Sequence, residues 1–269
     1  MKAVLLYANE DSGLQSRLEA ALDAVRLFDG HLLCLQVTPY DSFIMGDPFG
    51  GIYALPSVIA AVQESEDKHR ARLEEKLRSE GVSWDWIHFD GQPAQMVIDR
   101  SRLSDLIVVT PPTDGGGYDG PGGLAAEVAL HARAPVLAVP NGKPGIDLLG
   151  PAVVAWNGSM ESCNALRLAV GLLEKASTVH VVTVAGESDE FPSTWAAKYL
   201  ARHGVKTELH DWPLGEGSIA EAIADAAAAL NASYVVMGAY GHSRFRESVL
   251  GGVTREMLRH SPVPLLLAH

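Results

Sequence analysis

The chain is one structural unit written twice, and this repetition limits what it can fold into more than any other feature. Ala3 to Val37 reads as an apolar run, a polar turn, an amphipathic helix and a second apolar run, and Ala152 to Val184 reads the same way. In the first of these helices Leu14, Leu18, Leu22 and Val25 share a face; in the second Leu166, Ala169, Val170 and Leu173 do. Further along, Gly81-Val82 and Gly204-Val205 open the third-strand regions, and Gly91 and Gly215 precede the next helices. The later of those helices carries a capping-box pattern, Ser218 followed by Glu221. The fourth apolar runs are Leu106–Val109 and Tyr234–Met237, and each copy closes with a helix and a short run after a proline, Pro135 to Val139 and Pro264 to Ala268. Equivalents stand 147 to 149 residues apart at the first two strands, 123 apart at Gly81 and Gly204, and 128 to 129 apart from the fourth strand to the end. The first copy therefore carries about 25 extra residues between its second and third strands, seen as an apolar, glycine-punctuated insert at 39–61. A segment this long is functional or folded over something: it could cap a pocket or pack on the other half, and packing is the favoured role.

Each copy alternates strands with helices, and its strands are short aliphatic runs without polar alternation. Such strands belong in a parallel sheet covered on both faces. Right-handed crossovers then give about five strands per copy, so the fold class is α/β, with two tandem doubly wound, Rossmann-like parallel-sheet domains. The expected domains are 1–142 and 148–269, joined by the linker Asn141 to Gly145. With 33 acids against 21 bases the net charge is −12, which argues against nucleic acid or an anionic membrane as partner. A small anion in a locally positive pocket is not excluded by it. Cys34 and Cys163 are too few for a disulfide scaffold or a cysteine-based zinc site and read as small buried hydrophobes. No apolar run reaches the roughly 18 residues a membrane helix needs, and Ala3–Ala8 reads as a strand, not a signal peptide, so a soluble, cytoplasmic protein is expected.

In open α/β sheets ligands sit beyond the carboxyl ends of strands, at the point where strand order reverses. After the fourth strand of the second half come Gly238 and Gly241, where the backbone can turn tightly and approach a ligand. Gly251 and Gly252 then lie at the start of the final helix, where unpaired N–H groups and the positive dipole end favour an anion. Arg244 and Arg246 add positive charge to the connecting loop. These residues read as a phosphate cradle; the plainer alternative is that the glycines serve only turns and close helix–sheet packing. Neither a Walker A loop nor the dinucleotide fingerprint is present.

This run resembles the nucleotide-binding signature of the universal stress protein family, G-x2-G-x9-G-(S/T), matched here by Gly238, Gly241 and Gly251. The resemblance covers the chain as a tandem pair, including the Val-Pro-Leu-Leu-Leu ending from Val263, and implies the adenine-nucleotide alpha-hydrolase-like form of the fold. It implies an ATP site in the second half, with or without Mg. Asn157 stands where the family usually has an aspartate facing the adenosine end, and Val184 where a backbone contact reads adenine. Gly238 would lie near the ribose, with Gly241, Gly251, Gly252 and Val253 around the phosphates; His242, Arg244 and Thr254 complete the candidate set. Gly252 replaces the family's hydroxyl residue, which removes one hydrogen bond to a charged group, worth roughly 1.5–3 kcal/mol. The resemblance also implies that the last runs, Val136–Val139 and Pro264–Ala268, pair about a pseudo-two-fold axis, an intramolecular pseudo-dimer that leaves further dimerisation open.

The first half departs further. Thr110 and Thr113 stand in place of Gly238 and Gly241, Pro111-Pro112 stiffens the turn, and Asp114 and Asp119 would repel phosphate, so this site reads as degenerate. His131 and His260 recur near helix C-termini, where an imidazolium complements the helix dipole. No helical His-x-x-x-His metal pair and no nucleophile elbow is present, and no catalytic or metal residue is expected. Three functions stay open: an ATP-dependent stress or regulatory switch with an unnamed protein partner, an interaction protein with both sites decayed, and a slow ATPase.

Overall fold

Strands that lack a polar face cannot border water on either side, and the chain buries them at the centre of one continuous sheet. The protein is described by a computed structural model over residues 1–39, 45–46, 52–53, 56–111, 123–143, 145–184, 186, 191–241 and 252–269. The first half runs β1 (Ala3–Tyr7), α1 (Leu14–Phe28), β2 (His31–Thr38), two short strands β3 (Met45–Gly46) and β4 (Ile52–Tyr53), then α2 (Pro56–Glu80), β5 (Ser83–Asp90), α3 (Pro93–Arg100), β6 (Leu106–Val109), α4 (Gly123–His131) and β7 (Val136–Ala138). The second runs β8 (Ala152–Trp156), α5 (Met160–Leu173), β9 (Val179–Val184), α6 (Ser193–Arg202), β10 (Thr207–Trp212), α7 (Ile219–Ala229), β11 (Tyr234–Gly238), α8 (Gly252–His260) and β12 (Leu265–Ala268). Among the described residues ten strands form one sheet in the order β10-β9-β8-β11-β12-β7-β6-β1-β2-β5, while β3 and β4 pair only with each other.

Pairing is parallel within each half and antiparallel at the seam, where Leu265 stands opposite Ala138, Leu266 opposite Leu137 and Leu267 opposite Val136. The two last runs thus cover each other's edge. Two core layers flank the sheet. One collects Leu18, Leu22, Leu77, Leu166 and Leu200, and the other Val97, Val128, Ile223 and Leu258. Each fully buried leucine or valine stabilises by roughly 1.5–3 kcal/mol, which is why the helical faces read from the sequence point inward. The capping box at α7 forms as read, with Ser218 Oγ accepting from Glu221 N–H at 3.1 Å and Glu221 accepting from Ser218 N–H at 2.8 Å. His131 and His260 are the last residues of α4 and α8. Cys34 is buried, its thiol pushed up to about 12 by desolvation, as suits an inert core residue.

The sequence placed the extra length of the first half in a loop at 39–61. The structure puts much of it into a helix: α2 has 25 residues and starts at Pro56, inside that stretch, whereas its counterpart α6 has 10. Proline at the first position of a helix leaves no donor unsatisfied, so Pro56 can open one. The remainder of the insert, and the expectation that it packs on the other half, fall mainly outside the described residues. Ion pairs tie α2 to α1 and to the loop after β1, Lys76 to Glu19 at 2.6 Å and Arg72 to Glu10 at 2.6 Å. The connection from β7 to β8 is pinned on α1 by the Ile146 N–H, which donates to Asp23 at 2.9 Å. Burial raises the Asp23 carboxyl, and that N–H and Arg26 oppose the rise. No helix among the described residues is long and apolar enough to cross a membrane.

Candidate functional site

Strand order reverses between β8 and β11 in the second half and between β6 and β1 in the first. These two crevices are equivalent, and the residues that follow the strands decide what each can hold.

In the second crevice Asn157 directly follows β8 and is exposed; its Oδ1 accepts from Ser159 N–H at 3.1 Å, so it caps a turn. Val184 ends β9, half-buried and in register with Trp212. Gly238 ends β11, and Gly241 follows three residues later. Gly252 is the first residue of α8, Val253 is half-buried behind it, and Thr254 is buried. Thr254 Oγ1 accepts from Tyr240 N–H at 3.1 Å, which fastens α8 to the glycine turn. Tyr240 takes the left-handed conformation with φ 56°. The crevice thus gathers Asn157, Val184, Gly238 and Gly241 from the ends of three strands and Gly252 to Thr254 from a helix N-terminus. The candidates His242, Arg244 and Gly251 lie outside the described residues, as do Thr113, Asp114 and Asp119 of the first half.

The glycines do not all serve the same purpose. A Cβ at Gly238 would stand 2.6 Å from Ser162 N and 2.7 Å from the Glu161 carbonyl carbon, so the first turn of α5 uses the space itself. At Gly241 a Cβ would stand 2.6 Å from Glu161 Oε2, so a carboxylate borders the loop expected to hold phosphate. At Gly252, among the described residues, nothing lies within 4 Å. Of these three glycines, Gly252 alone has no described neighbour where a side chain would stand.

The first crevice is filled. Arg17, 0% exposed, sits one turn into α1 and donates to the carbonyls of Tyr7 at 2.5 Å and of Asn9, to the Asp11 carboxylate, and to Thr110 Oγ1 at 3.3 Å. Its guanidinium also lies 5.3 Å from the Tyr7 ring centre. Asn9 spans to the end of β2, donating to the Val37 carbonyl at 2.6 Å and accepting from Val37 N–H at 2.8 Å. His69 of α2 donates to the Ala8 carbonyl at 2.7 Å. The polar backbone that a ligand would read at this switch point is occupied by the protein's own side chains. Sequence reasoning attributed the decay to Thr110 and the acidic loop and missed Arg17.

The counterpart of Arg17 is Cys163. Gly13 caps α1 and Ser159 caps α5, with Arg17 N–H bonded to Gly13 O at 3.1 Å and Cys163 N–H to Ser159 O at 3.0 Å. Cys163 is a much shorter, half-buried side chain, its thiol raised by burial and by Glu161 against the pull of Arg167 and Ser162. A separate cleft of about 490 Å³ opens at the seam of the halves, lined among others by His131, Arg133, Asn164, Arg167, Tyr199 and His269. None of the described candidate residues lines it.

Two doubly wound halves sharing one sheet define a duplicated, Rossmann-like α/β protein built around two switch-point crevices. Residues 195–269 match the model of the family described as Universal stress protein family. The match covers the last 75 of the 269 residues and is a similarity of that segment to the family. One curated relative, Universal stress protein Slr1230 of a Synechocystis species, is 32% identical over 118 residues, which are 42% of this chain and 40% of that protein. The matched stretch thus spans less than half of that relative's length. Among solved structures, a universal stress protein from Archaeoglobus fulgidus is 18% identical with a TM-score of 0.73, covering 99% of this chain and 96% of the other. A putative universal stress protein from Pseudomonas aeruginosa is 17% identical with a TM-score of 0.59, covering 99% and 92%. At these identities the likeness is one of fold.

Proposed function

We propose that this chain is a stress-response or regulatory protein that binds ATP, or a related adenine nucleotide, in the second crevice, within a domain spanning 148–269. The first domain, 1–142, would act as a structural partner whose own site is closed. One observation carries the reading: the same crevice is filled by Arg17 and Asn9 in one half, while in the other Cys163 stands in for Arg17 and Asn157 is exposed. In the proposed complex Asn157 and Val184 face the adenosine end. The first N–H groups of α8, from Gly252 onward, meet the phosphates with the positive end of the helix dipole. Thr254 holds that helix to the turn and leaves ligand contacts to its neighbours. His242, Arg244 and Gly251 belong to the proposed set from the sequence.

Titrating nucleotide-free protein with ATP tests this. A dissociation constant of about 1 mM or tighter, abolished by Gly252→Asp, is expected. The aspartate meets no described residue within 4 Å of its Cβ and suits a helix N-terminus, so the variant should fold while repelling phosphate. No binding at millimolar ATP, or binding indifferent to Gly252→Asp, overturns it. A second reading, an interaction protein that takes no nucleotide, is favoured by the Glu161 carboxylate beside Gly241; retention of function by Gly252→Asp in cells would support it.

A further inference from the structure

On β9 and the edge strand β10, four residues before Val184 and unused by the nucleotide reading, sits a cluster of donors. Parallel register sets Glu208 opposite His180 of β9 and His210 opposite Val182. Side chains alternate across a strand, so Glu208 and His210 share one face, and His180 points to that same face, away from the side on which Val179 and Val181 pack. Neighbouring strands about 4.8 Å apart then bring the three side chains within reach of one another.

The distances close a triangle on the same three atoms. His180 Nδ1 lies 3.0 Å from His210 Nε2 and 3.4 Å from Glu208 Oε2, and His210 Nε2 lies 3.8 Å from Glu208 Oε2. A hydrogen bond between the imidazoles explains the shortest edge, but 3.4 and 3.8 Å are too long for good hydrogen bonds to the carboxylate. A single ion between the three atoms would account for all three edges. A triangle with these edges has a centre about 2 Å from every corner, the length of zinc bonds to imidazole nitrogen and carboxylate oxygen. The edges also scatter about the roughly 3.3 Å that separates ligands around tetrahedral zinc. His180 is anchored, its side chain 10% exposed, while Glu208 is 63% exposed, so the ion would keep a position open to water. Two borderline imidazole nitrogens beside one carboxylate suit zinc over calcium or magnesium, which take oxygen ligands.

We propose that His180, Glu208 and His210 form a binding site for a zinc-class divalent ion, with three protein ligands and water in the fourth position, clipping β10 to β9. The site is independent of nucleotide. The test is titration of tag-free, chelator-stripped full-length protein with zinc chloride, followed by calorimetry, with cobalt chloride in parallel for the visible bands of a tetrahedral site. One equivalent should bind with a dissociation constant of about 10 µM or tighter. His210→Gln, at a half-buried position on the edge strand, should weaken it roughly 100-fold, since loss of an outer-shell partner alone costs 10- to 100-fold. Glu208→Gln should weaken it roughly 10-fold. His88→Gln, which disrupts a different histidine–carboxylate group with Glu66 and Asp90, should leave it unchanged. Unaltered circular dichroism and melting of the metal-free variants confirm that each has folded. Absence of saturable zinc binding, zinc affinity unaffected by His210→Gln, or zinc lost with His88→Gln overturns the proposal.

Discussion

Two crevices of one design, at the β6–β1 and β8–β11 switch points, have been finished in opposite ways. In both, the first turn of a helix comes so close to the end of the fourth strand that one side of the contact must be glycine. In the first half the glycine is Gly13, on the helix, and Thr110 keeps its side chain 2.5 Å from where a Gly13 Cβ would be. In the second half the glycine is Gly238, on the strand, and Glu161 and Ser162 keep theirs. Gly238 therefore has a packing reason to be glycine whether or not a nucleotide binds. Gly252 has no such reason among the described residues, and it bears more weight in the functional reading.

The largest effect should come from emptying the filled crevice. Arg17→Ala removes the guanidinium donors to the Tyr7 and Asn9 carbonyls and to Asp11, and should destabilise by about 3 kcal/mol in denaturant unfolding. Cys163→Ala at the equivalent place should cost about 1 kcal/mol or less. Equal losses would break the contrast between the halves. Gly238→Ala, which forces a methyl into the backbone of α5, should cost about 2 kcal/mol by the same measurement. Gly252→Ser adds the hydroxyl of the signature it resembles where no described residue lies within 4 Å, and should tighten ATP about tenfold in calorimetry, with no loss of stability. Glu161→Gln removes the carboxylate beside Gly241 and should tighten ATP about fivefold, an effect that shrinks as salt rises. If Glu161→Gln weakens ATP instead, the carboxylate assists binding.

Much of this frame could be read from the sequence because it depends on short-range patterning. Strands without polar alternation declared a covered parallel sheet, and the repeated proline-led ending matches the pairing of Leu265–Leu267 with Val136–Ala138. The Ser218–Glu221 cap and the terminal histidines of α4 and α8 are likewise local signals. What escaped depends on tertiary register. Arg17 lies on a helix among Leu14, Leu18 and Leu22 and reads as an ordinary surface charge until β1 and β6 converge on it. The length of α2 was hidden because a charged stretch of low hydrophobicity after an apolar insert gives little sign of where the helix begins, although Pro56 was such a sign. His180, Glu208 and His210 become neighbours only through the β9–β10 alignment. The alternation Glu208-x-His210 on a strand was the one available hint, and a search limited to helical histidine pairs passes over it.

Hydrogen exchange measured across the full chain with and without saturating ATP tests the division between the two crevices most directly. The account predicts slowed exchange at Asn157 to Ser162, around Val184 and at Gly252 to Thr254, with no change at Asn9 to Arg17 or at Val37 and Thr110. Protection appearing in the first crevice, or in neither, would contradict it.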